Sequence, residues 1–101
     1  MLYNVIEDDG TMTLEMAGRM DTNAAMEFDS FLRVSLDRVE ALIFDCRRLE
    51  YICSAGLRML LYAHKTMAKQ GSMKIVGCNE DIMEIFRLTG FSDLLNIEQD
   101  G

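Results

Sequence analysis

The sequence predicts a small mixed α/β fold: a four- to five-stranded sheet, with an N-terminal hairpin followed by parallel strands, packed with three to four helices in one domain over residues 1–101. Three observations carry this prediction. Asp8-Asp9-Gly10 is a turn signal between two strand-like runs. After Gly18 the apolar period changes from two residues to that of a helix. From there strand-like and helix-like segments alternate to the end with no linker-like tract between them.

Leu2 to Glu7 and Thr11 to Ala17 form the two arms of the hairpin. In the second arm Met12, Leu14 and Met16 face one way and Thr11, Thr13 and Glu15 the other, as a half-buried strand requires. Ala25, Phe28, Phe31, Leu32, Ser35 and Leu36 then recur at helical spacing, with Asp21 or Thr22 as the N-cap. Ala41-Leu42-Ile43-Phe44 is a continuous apolar run, expected to be a strand covered on both faces and ended by Asp45. A helix from about Ser54 to Lys69 follows and Gly71 stops it. Met73 to Gly77 is a short strand. Asn79, with Glu80 and Asp81 behind it, opens a third helix that Gly90 ends. Phe91 to Leu95 reads as a last helical turn, and Asn96 to Glu98 as a short edge strand.

In a sheet with right-handed helical crossovers, partners and ligands meet the edge beyond the carboxyl ends of the parallel strands. Asp21, Ser54 and Asn79 each follow a strand and precede a helix, so all three are expected at that edge.

Composition narrows the function. Seventeen acidic against ten basic residues give a net charge of −7, with no basic patch to meet phosphates, so direct nucleic-acid binding is not expected. No apolar run approaches the roughly 20 residues of a membrane span, and the N-terminal residues lack the pattern of a signal peptide. Three cysteines without framework spacing point to a reducing compartment, and the chain reads as cytoplasmic.

The segment Tyr51 to Leu61 concentrates the chemistry. A serine and a glycine stand where a buried strand ends and an apolar helix begins, a junction whose free N–H groups and helix dipole favour an anion. Ser54 there is either a helix cap or a hydroxyl whose phosphorylation changes the local charge by nearly two units. Arg58, one turn on, is either a partner for that phosphate or a solvated residue shaping the surface. Asp21 is a cap or a partner contact, and Asp45 is expected to fix its loop by accepting backbone N–H bonds. Cys46, Cys53 and Cys78 are expected near one another at the strand ends but lack zinc spacing. His64 lies roughly 15 Å along its helix from Ser54, too far to complete a metal site or to act as base for a serine nucleophile. No cofactor, metal or catalytic constellation is expected.

Taken together, these residues resemble the STAS-domain family, and within it the bacterial anti-sigma-factor antagonists. Gly18-Arg19-Met20-Asp21 is similar to the family's Gly-Glu-x-Asp. Phe44-Asp45-Cys46 with Leu49 is similar to its central strand and loop. Ile52-Cys53-Ser54-Ala55-Gly56-Leu57 resembles the switch segment, commonly Asp-Ser-Ser-Gly-Leu, and Leu88-Thr89-Gly90-Phe91 the late Thr-Gly-Leu. Cys53 stands where many members have aspartate, and Arg19 where glutamate is common.

The resemblance implies a non-enzymatic binding module. Its partner would be an anti-sigma factor that is also a serine kinase of the histidine-kinase-like ATPase type. The unmodified antagonist binds that partner and frees a sigma factor; phosphorylation of the serine matching Ser54 prevents it, and a serine phosphatase resets the switch. Partner contacts are then expected from Asp21, Thr22, Cys53, Ser54, Ala55, Gly56 and Arg58. The alternative is a scaffold or adaptor subunit of the same fold, part of a larger regulatory or transport complex, in which Ser54 is a cap and carries no phosphate.

Overall fold

A computed structural model describes residues 2–98, and the expected bounds 1–101 extend past it at both ends. The elements run β1 (Leu2–Asp8), β2 (Thr11–Met20), α1 (Thr22–Ser35), β3 (Ala41–Ile52), α2 (Ser54–Met67), β4 (Ser72–Val76), α3 (Glu80–Thr89), the single turn α4 (Phe91–Leu94) and β5 (Ile97–Glu98). They build one five-stranded sheet in the order β1-β2-β3-β4-β5, with β1 antiparallel to β2 and every later neighbour parallel. The hairpin turns as expected, on Asp9 and Gly10 at positive φ.

Each crossover steps one strand further in the same direction, so right-handed connections lay the helices on a single face. Burial follows that rule. Met12, Leu14 and Met16 of β2 and Leu42 and Phe44 of β3 are buried, whereas Thr11, Thr13, Glu15, Ala41, Ile43 and Asp45 between them stay half-exposed. The expectation that Ala41–Phe44 is covered on both faces is therefore corrected: the helices cover one face and the strand alternates. Phe28 and Leu32 of α1, Leu60 of α2 and Phe86 of α3 lie fully buried over the sheet. Each such side chain contributes about 1.5–3 kcal/mol by leaving water.

Two strands are longer than expected. β2 continues through Gly18 to Met20, and β3 runs to Ile52 rather than stopping at Asp45. Its register against β2 slips twice, between the pairs Glu15↔Asp45 and Ala17↔Arg48 and again between Gly18↔Leu49 and Arg19↔Tyr51, so β3 carries two bulges. Each inserts one residue, and the buried positions Leu42, Phe44, Cys46, Leu49 and Ile52 pass from a spacing of two to a spacing of three. Asp45 supports the first bulge by accepting the Arg47 N–H at 3.1 Å and pairing with the Arg47 guanidinium at 2.7 Å. The acceptor role expected of Asp45 holds, but within a strand rather than at its end.

Candidate partner-binding site

The bulged extension of β3 keeps it level with β2, and the two strands end side by side at the pair Met20↔Ile52. The Cys53 N–H closes the edge by donating to the Met20 carbonyl at 3.0 Å. Asp21-Thr22 and Cys53-Ser54 therefore start α1 and α2 from adjacent strand ends, as the topology predicted. Asn79 is set back: its side-chain amide donates to the Leu49 carbonyl at 3.1 Å, three residues before β3 ends.

The three longer helices begin differently. Asp21 caps α1 by accepting the Ala24 N–H at 2.9 Å, which settles the choice between Asp21 and Thr22. Asn79 caps α3 by accepting the Ile82 N–H at 2.8 Å, with Glu80 and Asp81 in the first turn. In α2 the capping position is Cys53, whose side chain makes no cap hydrogen bond, and no acidic residue occupies the first turn. Ser54 is the first helical residue rather than the cap. It is exposed, and among the described residues its hydroxyl has no hydrogen-bond partner. The first turn of α2 thus leaves backbone N–H groups without a side-chain acceptor on a chain that is acidic elsewhere.

Around Ser54, Asp21, Thr22 and Arg58 are exposed and Cys53 and Ala55 half-buried. Gly56 lies beneath them: a Cβ there would fall 2.6 Å from Ile52 Cγ1 and 2.8 Å from Met20 Sδ, so what it supplies is close packing of α2 on the strand ends. Beside Ser54 a shallow groove of about 340 Å³ separates α1 from α2, with Met26, Asp29 and Arg33 on one wall and Ala55 and Arg58 on the other. Arg33 pairs with Asp29 at 2.7 Å and stacks on Tyr62 of α2 at 4.2 Å, and the Asp29 hydrogen bond raises its already high pKa. Arg19 stacks in the same manner on Tyr51, its register neighbour, at 4.4 Å. The α1 wall was not anticipated. The spacing of Met26, Asp29 and Arg33 puts them on one helix flank, but only the packing of α1 against α2 turns that flank into a groove.

The cysteines divide. Cys46 and Cys78 are buried with their thiols hydrogen-bonded to each other, whereas Cys53 is half-buried at the start of α2. That hydrogen bond, and then burial, hold the Cys46 thiol well above its ordinary pKa. Among the described residues no group of His, Cys, Asp and Glu is arranged to hold a metal ion, and no helix is long and apolar enough to cross a membrane.

A five-stranded sheet covered by helices on one face, with an exposed serine at the first residue of α2, defines a small α/β domain of one sheet layer and one helix layer. The chain belongs to the STAS-domain family, whose model matches residues 3–100. The candidate anti-sigma factor antagonist BtrV of Bordetella bronchiseptica is 28% identical over 91 residues, 88% of this chain and 78% of that protein. The fold is that of SpoIIAA, an anti-sigma factor antagonist and cell fate determinant of Bacillus. Its unphosphorylated form superposes with a TM-score of 0.78 at 13% identity, covering 99% of this chain and 90% of that one. Its phosphorylated form gives 0.79 at 14%, covering 99% and 92%. An anti-sigma factor antagonist from Mycobacterium paratuberculosis gives 0.81 at 22%, covering 95% and 83%.

Proposed function

We propose that this protein is a cytoplasmic anti-sigma factor antagonist whose binding edge is switched by phosphorylation of Ser54. Its partner is an anti-sigma factor with serine kinase activity of the histidine-kinase-like ATPase type. The protein acts by binding rather than catalysis: the unmodified form occupies the kinase and releases a sigma factor. In the modifying step the Ser54 oxygen takes the γ-phosphoryl group of ATP, ADP leaves, and the hydroxyl proton passes to a base on the kinase. A serine phosphatase restores the hydroxyl. Asp21, Thr22, Cys53, Ala55 and Arg58 share the contact surface with Ser54, over the packing provided by Gly56.

The observation that supports this most is the exposed, unpartnered Ser54 hydroxyl at the first residue of α2, where no side chain caps the helix. A phosphate there meets free N–H groups and the positive end of the helix dipole, so it is accommodated without unfolding while it repels acidic groups on a partner. Similarity to BtrV and the shared fold of SpoIIAA agree with this reading.

The test is intact-mass analysis after incubation with ATP and the cognate kinase. One added phosphate is expected on the wild type and none on Ser54→Ala, with kinase binding lost when phosphoserine is installed at position 54. Kinase binding that is equal with and without that phosphate would return the protein to the scaffold reading.

A further inference from the structure

We propose that Arg58 is the side chain that holds the Ser54 phosphate, closing an ion pair across the first turn of α2 and leaving the α1–α2 groove as it does so. The proposal rests on Ser54 being the phosphate acceptor and adds how the modified state is read.

Arg58 follows Ser54 by four residues, so the two side chains neighbour each other on the helix surface. Long side chains on a helix favour rotamers that lean back toward its N-terminus, so a guanidinium at position 58 can reach the turn that carries Ser54. Four charged groups of β2 and of α1 with its cap already have partners. On α1, Asp29 and Arg33 pair at 2.7 Å, and Arg33 also stacks on Tyr62. Asp21 is taken by the Ala24 N–H, and Arg19 by the ring of Tyr51. Arg58 is exposed, lines the groove, and among the described residues has no ion-pair partner. It is also the only cation in the first two turns of α2, the next being His64 and Lys65 in the last turn.

A phosphoserine carrying nearly two negative charges, with acceptor oxygens that suit a guanidinium, therefore finds one turn along its own helix a cation that has no ion-pair partner among the described residues. Before modification Arg58 is a cation on the groove wall, available to an acidic partner; afterwards it is neutralised at the helix head. One phosphoryl group thus changes two parts of the surface: it adds negative charge at Ser54 and withdraws positive charge from the groove.

The test uses the whole chain with phosphoserine installed at position 54 during synthesis, compared with the same protein carrying Arg58→Gln, Arg58→Lys or Arg33→Gln. The second ionisation of the phosphate is followed by phosphorus NMR. The pair favours the dianion, so Arg58→Gln is expected to raise the titration midpoint by about 0.3 pH unit, with Arg58→Lys retaining part of the effect. Arg33→Gln, whose guanidinium is held elsewhere, leaves the midpoint in place. In the wild type the Arg58 side-chain N–H resonance shifts through the same midpoint. An Arg58→Gln protein with a native amide spectrum and an unchanged midpoint overturns the proposal. Absence of phosphate on Ser54 in native cells would instead overturn the switch while leaving the titration difference intact.

Discussion

Gly56 of α2 and Ile52 of β3 approach so closely that position 56 has no room for a side chain: a Cβ would sit 2.6 Å from Ile52 Cγ1. Met20 Sδ crowds the same position, at 2.8 Å. This contact fixes the head of α2, and with it Ser54, against the paired ends of β2 and β3. Glycine inside a helix costs roughly 0.5–1 kcal/mol relative to alanine, so close approach is what the position gains in return.

Gly56→Ala is therefore expected to destabilise the domain. Overpacking costs typically about 1–3 kcal/mol and helix propensity returns part of it, leaving a loss of about 1–2 kcal/mol in urea denaturation. Gly18→Ala makes a useful comparison, because its Cβ meets nothing within 4 Å and only its φ of +76° opposes the change, at roughly 1–2 kcal/mol. A Gly56→Ala protein as stable as the wild type would show that the close contact does not hold α2 in place.

Where local signals agreed with the topology, the chain could be read directly. The Asp9-Gly10 turn, the alternation of Met12, Leu14 and Met16, the Asn79 cap and the Gly90 stop each express one local preference that packing did not override. β3 was misread because its two bulges break the alternation, and the charges at Asp45, Arg47, Arg48 and Glu50 resemble a loop. Gly18 hid the end of β2 in the same way. At the site, the serine–glycine junction was legible, but its detail was not: the one-residue difference between a cap and a first helical residue lies within the usual uncertainty of helix ends. The α1 wall of the groove depends on how two helices pack, which no local pattern encodes.

The two side-chain caps should differ in worth. Asp21 makes one cap hydrogen bond at the exposed start of α1, so Asp21→Ala is expected to cost about 1 kcal/mol. Asn79 both accepts the Ile82 N–H and donates to Leu49, tying α3 to β3, so Asn79→Ala should cost about 2 kcal/mol. Thermal or urea unfolding of the single variants measures the difference. Equal losses would mean that the bond to Leu49 adds nothing to stability.

The thiols should react in a fixed order. Cys46 stays protonated to higher pH than a free thiol because Cys78 hydrogen-bonds it and burial disfavours its thiolate; the same hydrogen bond lowers the pKa of Cys78, so what protects Cys78 is its burial. Only the thiolate is nucleophilic, so reactivity follows exposure and ionisation together. Mass spectrometry after brief maleimide treatment of the folded protein is expected to find label on Cys53, with Cys46 and Cys78 modified only after denaturation. Early labelling of Cys46 would contradict its place in the core.

The head of α2 yields the prediction that separates structure from function. A serine serving as N-cap loses about 0.5–2 kcal/mol when replaced by alanine, whereas an exposed first-turn hydroxyl without a partner should change stability by less than about 0.5 kcal/mol. Ser54→Ala is expected in the second class, because the capping position belongs to Cys53. Cys53→Asp supplies the missing acceptor and a charge suited to the helix dipole, and is expected to stabilise the fold by about 1 kcal/mol. If unfolding curves instead show Ser54→Ala losing a full cap's worth and Cys53→Asp gaining nothing, Ser54 is holding the helix end. Near-neutral Ser54→Ala together with a stabilised Cys53→Asp shows that the Ser54 hydroxyl does not hold the helix end, as the proposed role of phosphate acceptor requires.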